Sequence, residues 1–332
     1  MDKVRRQILQ SLAALGIALP LHGIDGLRHA ATATAGGDHI GDWEDTAWQY
    51  AHMLTAKPPA AVLADLMVDT LELQQVIQRN DGCAEPAWQR VAAQFGFLMA
   101  QCLGFMGEAR EARHWWAVAR RAVDLSGDID LRAAVRGYAA MQSLYLGHPR
   151  PVVQRQADDA LAIAAGRACA GAAEAQSVRT LLAGDAGRAT IALQDLEDMF
   201  DRMPERVTSD TETGFGWPRT RLLHNQSLVL ARVGPADAAA AAHTAAIAAY
   251  PAWRSRQIVQ VHLHQAVTAV RHGDITDGVA HAATTLQTLP TEQRTIFVRK
   301  AATDVLHAVP ISEAKRPAVA EYRDLLALPP AQ

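Results

Sequence analysis

Apolar residues recur three and four positions apart along most of this 332-residue chain, the pattern of helices that bury one face. Between 60 and 78 the apolar face is built from Val62, Leu63, Leu66, Met67, Leu71, Leu73 and Val76. The same reading predicts helices over 3–15, 43–56, 60–78, 86–104, 108–125, 129–146, 150–165, 171–183, 187–202, 218–233, 236–249, 254–271, 276–288, 292–307 and 312–327. Asp42 stands where the second could be capped. From 86 onward the helices come in pairs, broken at Gly104–Gly107, Gly147-His148-Pro149, Gly184–Gly187, Gly234-Pro235 and His272-Gly273-Asp274. Glycine at each break fits a left-handed helix end, and Pro or Asp often starts the next helix. One stretch departs from this texture. Residues 208–218 hold Gly214, Gly216, Pro218, Phe215 and Trp217 among turn-forming polar residues.

The pairs repeat. Tyr250-Pro251 and Leu289-Pro290 close successive second helices 39 residues apart, and Pro204 precedes Pro251 by 47. Small residues recur at matching offsets: Ala112 and Ala119, Ala192, Ala239 and Gly278. They let a second helix approach its first, while a larger residue one turn on fills the space behind. This resembles a divergent tetratricopeptide repeat. The predicted fold is all-α, a right-handed superhelix of antiparallel helix pairs with a concave inner surface. An N-terminal helix and flexible linker would occupy 1–41. The solenoid would occupy 42–332, with an ordered insertion at about 205–218.

Composition narrows the classes little further. The net charge of −3 and pI near 6.5 give no electrostatic footprint for nucleic acid. Cys83, Cys102 and Cys169 read as small core residues in a reducing compartment. Arg5-Arg6 and the apolar run to Leu21 imitate a twin-arginine export signal, but Gln10 and Ser11 interrupt the run. An amphipathic helix packed on the first repeat is the preferred reading, which places the protein in the cytoplasm. No segment approaches the ~20 apolar residues that span a bilayer.

A longer resemblance follows from the order of motifs: the Arg5-Arg6 helix, Trp43-Glu44-Asp45, Pro58-Pro59-Ala60, Glu111-Ala112-Arg113-His114-Trp115-Trp116, Arg136-Gly137, Phe215-Gly216-Trp217-Pro218 with Arg221–Asn225 behind it, then Tyr250-Pro251. Together they resemble the tetratricopeptide-like C-terminal region of actinobacterial helix-turn-helix (XRE-type) transcriptional regulators. In those proteins a DNA-reading domain precedes the Arg-Arg helix, whereas here Met1 stands at that helix. The resemblance therefore implies a sensing or partner-binding module without direct nucleic-acid contact.

No CxxC, GxSxG, Walker or dinucleotide-binding motif is present. The 13 histidines, including His224, His243, His262, His264, His272 and His281, show no metal-ligand spacing, so neither a metal nor a cofactor is expected. First helices of stacked pairs line the concave wall, and the register places Gln94, Gln101, Tyr138, Gln142, Trp217, Arg221, His224, Asn225, Gln260 and His264 there. Arg221 and Asn225, four apart, share a face as a carboxylate or amide clamp needs. Trp115 and Trp116 diverge by about 100°, so one is core. Phe215 and Trp217 form either a plug between the third and fourth pairs or a lid over the groove. The function expected is non-enzymatic: binding of a partner protein, peptide or small ligand, linked to transcriptional regulation. The alternatives are a scaffold recruited as an enzyme or accessory protein in a biosynthetic pathway, and an architectural homodimer.

Overall fold

The computed structural model describes residues 39–79 and 85–327; the predicted helix at 3–15, the export-like segment and Cys83 lie outside them. Within the described residues there are fifteen α-helices and no strand. They are α1 (Ile40–Ala56), α2 (Pro59–Arg79), α3 (Pro86–Met106), α4 (Ala109–Ser126), α5 (Ile129–Tyr145), α6 (Arg150–Ala164), α7 (Ala170–Leu182) and α8 (Ala186–Asp201). After the single turn α9 (Glu205–Thr208) come α10 (Arg219–Val233), α11 (Ala236–Ala249), α12 (Ser255–Arg271), α13 (Ile275–Gln287), α14 (Ile296–Ala308) and α15 (Pro317–Ala327). Among these helices none is long and apolar enough to cross a membrane.

The second helix of the first pair shows how sequence dictates an amphipathic face. In α4, Ala112, Trp116, Ala119 and Val123 are buried, and Arg110, Glu111, Arg113 and His114 stay on the far side. First helices are buried almost all round. Along α3 burial runs from Phe95 to Gly104 without a break, because α1, α2, α4, α5 and α14 all pack on it. Two glycines allow α5 and α7 to touch backbone to backbone. A Cβ on Gly137 would lie 2.3 Å from the Gly171 carbonyl oxygen, and one on Gly171 would lie 2.1 Å from the Ala134 nitrogen.

Several expected boundaries move. The first described helix starts at Ile40 with no side-chain cap, so Asp42 sits in its first turn rather than capping it. Helix α3 continues through Gly104, whose missing Cβ makes room for the Gln142 amide, and ends at Gly107 in the left-handed region. Gly147 and Gly273 also have positive φ, but Gly184 does not, and Gly234 is extended, so those two breaks are made without a left-handed cap. The last two helices start later than expected, each preceded by a short 3₁₀ turn at Thr291–Gln293 or Ile311–Glu313.

The order of packing matters most for function. Successive helices pack on their neighbours, yet α14 also returns to α3 and α5. Phe297 at its start lies 5.5 Å from the Phe105 ring and 4.1 Å from the Tyr145 ring, and Arg299 donates to the Met106 carbonyl at 3.1 Å. Arg256 of α12 reaches across to the Leu54 carbonyl at 2.5 Å. These returns bring the late helices back onto the early ones and leave a pocket between them that is partly open to solvent.

Candidate functional site

The pocket between these helices has a volume of about 220 Å³. Its lining is divided by element. From α3, α5, α7 and α14 come Phe97, Leu98, Phe105, Tyr138, Met141, Tyr145, Leu181 and Phe297, with Glu174 and Ser177 as the polar exceptions on α7. From α10 and the start of α12 come Arg221, His224, Asn225, Arg256, Gln257 and Gln260, joined by Arg254 just before α12 and Tyr250. The first group is mostly aromatic and aliphatic; the second is mostly polar and cationic.

The 208–218 stretch forms the roof between them. Asp210 ties the turn together: one oxygen accepts from the backbone N–H groups of Glu212 at 3.0 Å and Thr213 at 2.9 Å, and the other accepts from the Thr213 hydroxyl. Gly216 is required here, since a Cβ would stand 2.3 Å from the Asp210 carbonyl oxygen. Trp217, 1% exposed, sinks among Ala170, Ala173, Leu196, Met203 and Leu222 and so joins α7, α8 and α10. That part agrees with a plug between the third and fourth pairs. Phe215 goes elsewhere, packing 5.5 Å from Phe97 on α3, so the segment also bridges to the first pair.

A buried polar cluster fixes the roof from beneath. Glu174 accepts from the Trp217 indole N–H at 3.0 Å and from Arg221 at 3.3 Å. Arg221 donates also to the Tyr138 hydroxyl at 2.5 Å, and Tyr138 donates to the Gly214 carbonyl at 2.8 Å. Burial pushes the Glu174 carboxyl above its ordinary value, while Arg221 and the indole pull it back. The outer edge of the roof is held differently. His52 and Thr55 of α1 lie 3.2 and 3.3 Å from the Glu212 carbonyl oxygen, and Arg254 donates to the Thr211 carbonyl. These outer contacts are exposed, whereas the inner ones are not.

The structure sorts the residues singled out from the sequence. Gln101, Tyr138, Trp217, Arg221, His224, Asn225 and Gln260 face the cavity. Gln94 does not. Gln142, 1% exposed, is a packing bridge that accepts from the Trp116 indole at 2.6 Å and donates to the Gln101 carbonyl at 3.4 Å. His264 lies behind the wall in a hydroxyl–imidazole network. Its Nδ1 and that of His243 lie 2.9 and 2.8 Å from the Ser227 hydroxyl, and His243 Nε2 lies 3.0 Å from the Thr268 hydroxyl. The Arg221–Asn225 clamp is not assembled either: Arg221 serves Glu174 and Tyr138, and Asn225 accepts from Thr180 at 2.9 Å. Trp116 is core, and Trp115 packs at its margin.

Several lining residues escape a sequence reading. Glu174 was the most legible of them, a lone carboxylate in an Ala-Gly-Ala-Ala-Glu-Ala run that has no polar face. Arg254, Arg256 and Gln257 sit at a helix start, where their direction depends on the turn before it. Phe297 enters only because α14 folds back. Two lining atoms, His224 Nδ1 and Gln257 Oε1, are buried without a hydrogen-bond partner. Burial and the Arg221 charge lower the His224 imidazole to about 4, so it is neutral at pH 7. Among the described residues no group of three or more His, Cys, Asp or Glu is placed to hold a metal ion. Cys102 and Cys169 are buried free thiols, and burial pushes the Cys102 thiol up to about 12.

Comparison with family models, curated proteins and solved structures finds no match to this chain.

Proposed function

We propose that this protein is a non-enzymatic, tetratricopeptide-like regulatory module of the cytoplasm that takes a small molecule into its central cavity. The helix pairs are read as divergent repeats of a right-handed superhelix, in which the late helices return to the early ones so that the concave face becomes a partly open pocket. The observation that carries the reading is that return, in which Phe297 packs on Phe105 and Tyr145 while Thr213, Gly214 and Trp217 of the 208–218 stretch line the pocket. An open groove would suit an extended peptide or a partner helix. A cavity of about 220 Å³ suits a ligand on the order of fifteen to twenty non-hydrogen atoms, at roughly 10–15 Å³ for each probe-sized group. The link to transcription rests on the resemblance to the C-terminal region of helix-turn-helix regulators. The polar groups nearest the roof are engaged in holding it, Glu174 with Arg221 and Trp217, which supports a binding role over acid–base chemistry.

The test is native mass spectrometry of protein purified from its own host. The expected result is a mass shift from a bound small molecule that is lost in Met141→Trp, a variant that fills the cavity, together with altered transcript levels when that variant replaces the wild type. A folded protein that carries no small molecule, and whose regulatory effect survives Met141→Trp, would overturn the reading.

A further inference from the structure

The lining of the cavity carries three guanidinium groups, Arg221, Arg254 and Arg256, against one carboxylate, Glu174. Glu174 is committed to Arg221. Neither of the other two cations forms a salt bridge among the described residues, although the charges of Glu212 and Asp210 act on Arg254. Arg254 donates to the Thr211 carbonyl and lies with its guanidinium 4.3 Å from the Trp253 ring centroid. Arg256 is 5% exposed and is held by the Leu54 carbonyl at 2.5 Å. Those two carboxylates also have other partners, Asp210 in the roof turn and Glu212 with His52 at 3.4 Å. Burial and the Arg254 charge lower the Arg256 guanidinium to about 10, so the two cations oppose each other. Buried charge is costly when unpaired, and an anion between these groups offsets that cost.

The rest of the lining fixes the other half of the ligand. The lining also holds Phe97, Phe105, Tyr145, Met141 and Phe297, which a charged headgroup alone would leave uncovered. His224 Nδ1 and Gln257 Oε1 stand unpartnered on the polar side. We infer that the cavity binds a small amphiphilic organic anion, a carboxylate on an aromatic or aliphatic body, with its head between Arg254 and Arg256 and its body against Phe97, Phe105 and Phe297. This rests on the reading of the cavity as a small-molecule site and adds the charge and shape of the ligand.

The experiment is isothermal titration calorimetry of full-length protein with phenylacetate, 4-phenylbutyrate, indole-3-acetate and octanoate, each beside its primary amide, and with acetate alone. The expected result is that at least one acid binds about tenfold or more tightly than its amide, that acetate does not compete, and that Arg254→Gln and Arg256→Met remove the preference. Arg254→Gln is the safer variant because its side chain is only partly buried; should Arg256→Met not fold, the acid–amide comparison on wild type still decides. Amides that bind as well as their acids, with binding lost in Met141→Trp, would keep the cavity as the site and overturn the anion. Failure of every acid and every amide to bind overturns both.

Discussion

Breaking the Glu174–Arg221 pair tests whether the roof is set by buried charge. Glu174 is 8% exposed, and its Oε2 takes both the indole N–H at 3.0 Å and the guanidinium at 3.3 Å. Glu174→Leu leaves the cation and the indole donor without their acceptor. Removing one partner of a fully buried pair costs about 3–5 kcal/mol. Here the Arg221 side chain is 28% exposed, so solvent recovers part of that and about 2–3 kcal/mol is expected. Glu174→Gln keeps an acceptor in place and loses only the charge, roughly 1–1.5 kcal/mol. Arg221→Met removes the cation but leaves the carboxylate its indole, at about 2 kcal/mol. A double-mutant cycle with Glu174→Gln and Arg221→Met isolates the pair, read as urea-denaturation midpoints followed by far-UV circular dichroism. A coupling energy of about 1–2 kcal/mol is expected. A coupling below roughly 0.5 kcal/mol, with both single variants destabilised, would refute the ion pair as the organiser and leave the packing of Trp217 in that role.

The histidine network predicts acid lability. The Thr268 hydroxyl donates to the His264 carbonyl at 3.2 Å, so it accepts from His243 Nε2–H; His243 Nδ1 then accepts from Ser227, and Ser227 accepts from His264 Nδ1–H. Every hydrogen is used with both rings neutral. Burial lowers His243 to about 4 and, with the neighbouring charges of His224 and His243, lowers His264 well below its ordinary value. The unfolded chain binds these protons first, so stability falls as pH drops from about 6.5 toward 4, by up to ~1.4 kcal/mol per pH unit for each histidine. His243→Gln should flatten that slope in thermal melts at pH 7, 6 and 5; an unchanged slope sinks the assignment. Gly171→Ala should cost about 2–3 kcal/mol by forcing α5 from α7, whereas Gly127→Ala meets no atom within 4 Å and costs only its positive φ, about 1 kcal/mol. Equal midpoint losses for the two would contradict the backbone contact.

The sequence by itself determined the helices and most of their breaks. Periodicity is local, and each amphipathic face, as in Ala112-Trp116-Ala119, records which side of a helix must leave water. It also marked residues 208–218 as exceptional and placed Tyr138, Arg221 and His224 on inward faces, because a repeating register fixes facing as well as spacing. It could not settle the helix ends at Gly184 and Gly234, since glycine permits the left-handed cap without requiring it. The site itself depended on contacts between segments far apart in the chain. Arg256 meets Leu54 across 202 positions, and Arg299 meets Met106 across 193. No local pattern encodes such a return. It follows from the summed angles of every helix crossing, each of which depends on side-chain packing such as the Gly137–Gly171 contact. Only that return brought the aromatic residues of the early and late helices and the cationic residues at the start of α12 to one pocket. It also drew residues 208–218 inward, with Trp217 held by Glu174 and Phe215 by Phe97.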